Sequence, residues 1–169
     1  MKTAIEILIE LWFGHLNLSQ IHQWAADYIH EHDTKFDDES FKILDSDLLE
    51  SEALLLVLAK KLDPNFSKDS LTVEYFSAQY LLKALKEYLN NRINPLVLCN
   101  MITTIEATFL GAPRNLPEGV AYYPKWLGDL WNACDWCDES WTFENSPQLE
   151  AEIRIQMHKI EEWLLSLKF

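Results

Sequence analysis

Residues 48 to 62 read LLESEALLLVLAKKL, and from Ala53 to Ala59 almost every side chain is apolar. The run reads as a helix that is apolar nearly all round, which places it at the centre of a domain. Lys60 and Lys61 complement the negative end of its dipole, and Asp63-Pro64 stops it. Outward from this segment the same period of about 3.6 recurs, while strand-like alternation is almost absent. The chain has only four glycines.

Upstream, residues 2 to 13 form an apolar helix that stops at Gly14. Ser19 is placed to cap a second helix with Ile21, Trp24, Ala25, Tyr28 and Ile29 on one side. The acidic connector DTKFDDESFKILDSD holds a short helical turn near Phe41 to Leu44. Downstream, Val73 to Leu89 carry a broad apolar stripe. Asn94-Pro95 caps and opens a helix running to Leu110. GAPRNLPEG is a loop. Tyr123-Pro124 starts a helix through LGDLWNACDWCDESWTFEN, and Ser146-Pro147 starts the last. The prediction is an all-α fold, a compact single-domain bundle of about six to seven helices over residues 1–169. That length fits one domain.

The three cysteines are Cys99, Cys134 and Cys137. Their odd number, and an N-terminus in which Glu6 and Glu10 interrupt the apolar run, predict reduced thiols and a cytoplasmic location. Zinc takes four ligands, and CDWC has neither a second pair nor a spaced His pair to complete a set. On one helix Cys134 and Cys137 share a face, so two core cysteines are the simpler reading. His15, His22, His30 and His32 read as a polar surface. No metal and no cofactor is expected.

No nucleophile elbow, phosphate-binding glycine loop or His-Glu-x-x-His motif is present. A small helical enzyme with a carboxylate-based site stays open as an alternative. Glu106, inside the apolar Ile102–Phe109 helix, is its best candidate; the plainer account pairs Glu106 with Arg92 or Arg114.

The net charge is −13, which disfavours nucleic acids and anionic membranes as direct partners. Its placement is uneven. Residues 27–52 hold ten acids against Lys35 and Lys42, and residues 126–146 hold five acids and no base, so these windows carry the whole net charge. Trp131, Trp136 and Trp141 are interleaved in the second. At five-residue spacing they cannot all share one helix face, so at least one points outward. Carboxylates beside exposed aromatics suit a basic protein partner. The candidate contact residues are Asp33, Asp37, Asp38, Glu39, Asp45 and Asp47 in the first window, and Trp131, Asp135, Trp136, Asp138, Glu139 and Trp141 in the second.

In overall character this acidic, all-helical chain resembles bacterial immunity proteins. These are the antitoxins that accompany colicin-type and contact-dependent growth-inhibition toxins. The stretches that carry the resemblance are HDTKFDDESFKILDSDLLESE (32–52) and GDLWNACDWCDESW (128–141). It implies a stoichiometric inhibitor that binds a toxin C-terminal domain, often a basic nuclease, and occludes its active or substrate-binding surface. A helical adaptor or chaperone is a further alternative.

Overall fold

The computed structural model describes residues 1–32, 38–110 and 125–167, without the side chains of 108–110, 125 and 126. Asp33, Asp37, Arg114, the GAPRNLPEG loop and Tyr123-Pro124 lie outside the described residues. The described residues form eight helices and no strand. The chain is all-α as expected, with one helix more than the upper expectation: the turn near Phe41 is a short helix of its own. Backbone packing divides the chain into two compact units, Met1–Ser70 and Leu71–Phe169.

The first unit holds α1 (Ala4–Trp12), α2 (Leu18–His32), α3 (Glu39–Ile43) and α4 (Leu48–Leu62). α1 opens with a capping box in which Thr3 and Glu6 satisfy each other's backbone N–H. It ends before Gly14, whose φ of 72° is in the left-handed region that glycine enters freely. α2 corrects the placement of its cap: Asn17, not Ser19, accepts the Gln20 N–H at 3.0 Å. The Gln20 side chain returns a bond to the Asn17 N–H at 2.9 Å. α4 begins with a second capping box, Asp47 with Glu50.

α4 packs against all three other helices of its unit, so its central position there is real. Burial on every side is not. Leu55, Leu58 and Ala59 are buried, whereas Leu49 is 77% exposed and Val57 is 44% exposed. Three neighbouring helices cover only part of the circumference of α4, and the apolar run supplies more surface than they take up. Trp24 is buried and Trp12 half-buried, and they place their indole N–H groups on acceptors, the Lys2 carbonyl at 2.9 Å for Trp24 and Glu52 Oε1 at 2.8 Å for Trp12.

The second unit holds α5 (Leu71–Leu89), α6 (Pro95–Leu110), α7 (Lys125–Ala133) and α8 (Pro147–Ser166). Each packs on its neighbour in sequence, and α8 closes the ring against α5. Asn94 caps α6 through the Val97 N–H at 2.9 Å, with Pro95 as first helical residue. Leu81, Leu85, Leu98, Ile102, Leu130 and Ile153 are buried completely.

Two expectations fail in this unit. The helix expected to run through residues 127–145 stops at Ala133, and residues 134–146 form successive turns. The cysteines are also not all reduced. Cys99 of α6 and Cys134, just past the end of α7, form a disulfide with Cα atoms 5.4 Å apart. Cys137 is the free thiol.

Leu55→Ala should cost roughly 2–5 kcal/mol in chemical denaturation, because it opens a cavity at the hub of the first unit. Val57→Ala should stay within about 0.5 kcal/mol. Equal losses at the two positions would show that α4 is enclosed after all. Cys99→Ser should lose about 2–4 kcal/mol relative to the oxidised protein, by release of the loop constraint. Adding reductant to wild type should reproduce most of that loss. No change in either experiment would remove the disulfide from the account.

Candidate partner-binding surface

The two acidic windows fall in different units. In the first, most of the described carboxylates serve local structure. Asp38 caps α3 by accepting the Ser40 N–H at 3.0 Å, and it faces Lys61 Nζ at 3.4 Å. Glu39 is bound to the same ammonium. Partial burial pushes the Asp38 carboxyl up, but the Ser40 hydrogen bonds and the Lys61 charge outweigh it and hold the group below its usual range. The Lys61 hydrogen bond likewise lowers Glu39, and Glu39 in turn raises Lys61. Asp47 and Glu50 are committed to the α4 capping box, and Glu52 to Trp12. Asp45 is exposed and has no ion pair among the described residues.

The second window is built differently. α7 ends where the Cys134 N–H reaches both the Leu130 and Trp131 carbonyls at 3.1 Å. The next turn closes when the Cys137 N–H donates to the Cys134 carbonyl at 3.0 Å. Trp136, third in that turn, has φ of 67°. A tryptophan in this left-handed region is uncommon, and the turn geometry directs its side chain away from the unit. It is 86% exposed.

On the far side the Asp138 carboxylate accepts the Ser140 N–H at 2.8 Å and its hydroxyl, and the Trp141 N–H donates to the Asp138 carbonyl at 3.1 Å. The Ser140 side-chain bond, followed by the backbone bond, lowers the Asp138 pKa, so it is ionised at neutral pH. Thr142 and Asn145 then cap each other's backbone, at 2.7 and 3.3 Å. The Phe143 ring lies 5.0 Å from that of Tyr88 on α5. An irregular segment is thus held at one end by a disulfide and at the other by hydrogen bonds and a ring contact.

Asp135, Trp136, Asp138 and Glu139 are therefore brought together on one exposed turn. No ion pair among the described residues neutralises these three carboxylates. Trp131 stands on α7 at 37% exposure and Trp141 is half-buried. Asp129 faces inward along α7–α8, where Gln156 and Lys159 approach it at 3.2 and 3.4 Å. Ser140 was not anticipated, although Asp-x-Ser is a recognisable side-chain turn signal. The role of Cys99 had no local signal at all.

Glu106 is buried on α6, 8% exposed, and burial pushes its carboxyl up. It has no ion pair among the described residues, so the expected pairing with Arg92 is absent there. Among the described residues no group of three or more His, Cys, Asp or Glu side chains could hold a metal ion. No helix among the described residues is long and apolar enough to cross a membrane.

A raised folded-state pKa stabilises the protein below the ordinary carboxylate range and loses that stabilisation as pH rises through the shifted value. Glu106→Gln should therefore be more stable than wild type at pH 7, with the gap closing as pH falls and the native carboxyl takes up its proton. Denaturation at pH 7 and pH 4.5 checks this; a variant less stable than wild type at pH 7 would show that the carboxylate is paired and needed.

No protein-family model, curated protein or solved structure matches this chain.

Proposed function

We propose that this protein is an immunity protein: a stoichiometric antitoxin that binds a basic toxin domain and covers its active or substrate-binding surface. The observation that carries the reading is Trp136, 86% exposed on a braced turn among Asp135, Asp138 and Glu139. A large aromatic residue is expensive to leave in water, and a rigid one loses little entropy when a partner closes over it. Tryptophan is among the residues that most often anchor interfaces.

The mechanism divides between these groups. The carboxylates attract a basic surface over a range set by ionic strength and accelerate encounter. At close range they sit where a nuclease holds the phosphates of its substrate. Trp136 then fills an apolar recess and slows departure. The net charge of −13 keeps the chain from competing for nucleic acid itself.

The cytoplasmic expectation rested on reduced thiols and on the acid-interrupted N-terminus, and the Cys99–Cys134 bridge bears against the first of these, because disulfides persist in oxidising compartments. The proposed inhibition needs only that the chain and the toxin meet. A second reading, a small helical enzyme with a carboxylate-based site, draws on Glu106, a buried carboxyl with a raised pKa and no described ion pair.

The test is binding kinetics against the product of the gene immediately upstream, at two ionic strengths. Trp136→Ala should raise the dissociation rate by about 30-fold, the equivalent of a 2 kcal/mol anchor. Asp135→Lys with Glu139→Lys should slow association and flatten its salt dependence, leaving Asp138 to hold the turn. Asp38→Lys with Glu39→Lys should instead lower stability through the lost contacts with Lys61. Wild-type kinetics in the Trp136 and Asp135/Glu139 variants would remove this turn as the binding surface. Failure of the upstream product to bind wild type at all would remove the immunity reading.

A further inference from the structure

The disulfide and the remaining thiol both involve the turn that follows α7 in the second unit. Cys99 is 4% exposed on α6 and Cys134 is 8% exposed. Their Cα atoms are 5.4 Å apart although 35 positions separate them in sequence. Cys137 is half-buried, so solvent reaches its side of the turn. Its N–H donates to the Cys134 carbonyl at 3.0 Å. A four-residue turn closed in this way holds its first and last Cα atoms within about 7 Å. That overlaps the range of about 4.4–6.8 Å that a disulfide spans. Cys134 is therefore bonded to Cys99 across the helix packing and stands, by backbone spacing, within the span of a disulfide to Cys137 across the turn.

We propose that Cys99, Cys134 and Cys137 form a thiol–disulfide exchange site, in which the Cys137 thiolate displaces Cys99 from Cys134. The Cys137 sulfur attacks Sγ of Cys134 and a Cys134–Cys137 bond forms. The Cys99–Cys134 bond breaks, and its electron pair leaves with Cys99 as a thiolate. Cys99 takes up a proton to replace the one Cys137 gave to water. No oxidant or reductant is consumed, since one disulfide and one thiol are present before and after.

The two isomers do different things to the fold. The Cys99 bridge ties the end of α7 to α6. The Cys137 bridge frees that tie and closes a small ring around Asp135 and Trp136.

The environment of Cys137 sets the rate of exchange. Burial, and then the Asp138 carboxylate, push its thiol up. Tyr88 of α5 is raised in turn, first by its own burial and then in part by the Cys137 charge. At neutral pH most of the nucleophile is protonated, so exchange out of the Cys99–Cys134 isomer is slow. Because the thiolate is the attacking species, the exchange rate should rise about tenfold per pH unit below the thiol pKa.

The test uses the full chain purified without reductant. Samples held natively at pH 7 and pH 8 are quenched in acid, alkylated in denaturant and mapped by tandem mass spectrometry. At the start Cys137 should carry the alkyl group. With time a fraction should carry it on Cys99 with Cys134 joined to Cys137, about tenfold faster at pH 8. Cys137→Ser should keep Cys99–Cys134 intact throughout. Cys99→Ser, oxidised with glutathione disulfide, should form the Cys134–Cys137 bond while far-ultraviolet circular dichroism stays helical. The proposal is overturned if Cys99 is never alkylated at either pH, if it is alkylated equally in Cys137→Ser, or if all three cysteines are alkylated at the start. It is also overturned if helical Cys99→Ser forms no bond between Cys134 and Cys137.

Discussion

Cys134 sits where α7 gives way to turns, and its bond to Cys99 fixes that transition in place. The chain that follows has no helical ladder to hold it, so each backbone group must find another partner. The Cys134 carbonyl takes the Cys137 N–H, Asp138 takes Ser140, and Thr142 and Asn145 take each other. This succession of short bonds lets a polar, aromatic segment keep one shape outside regular structure. Without the tether to α6, the first of these turns would be anchored only through α7. The exposure of Trp136, the reach of Cys137 and the position of the acidic turn all follow from where that bond lies.

Charge is used in two ways in this molecule. In Met1–Ser70 it is largely spent on architecture: carboxylates cap α3 and α4, grip Lys61 and receive the Trp12 indole. Such groups are ordered by short bonds and have little left to offer a partner. Around Trp136 only Asp138 has a structural task, and Asp135 and Glu139 have no described ion pair. Equal densities of acid in sequence therefore differ in availability. That difference directs the proposed interaction toward the second window, where uncompensated charge and an aromatic side chain coincide.

Sequence by itself determined that the chain is helical, and it located most helix ends. Period-3.6 stripes require a buried face, and Asn94-Pro95 and Pro147 act within a few residues, so their effects are written locally. It also marked the acidic windows and the need for an outward tryptophan. Tertiary structure decided which face of α4 is covered, because that depends on how many neighbours surround it. It decided that α7 stops at Ala133, since residues 134–146 satisfy their backbone through turns and long-range tethers that no local pattern specifies. It chose Cys99 as the partner of Cys134, a pairing made by the packing of α6 on α7. Periodicity and caps are properties of neighbouring residues, whereas burial, pairing and the freedom of a carboxylate depend on residues distant in sequence, and only the folded chain brings those together.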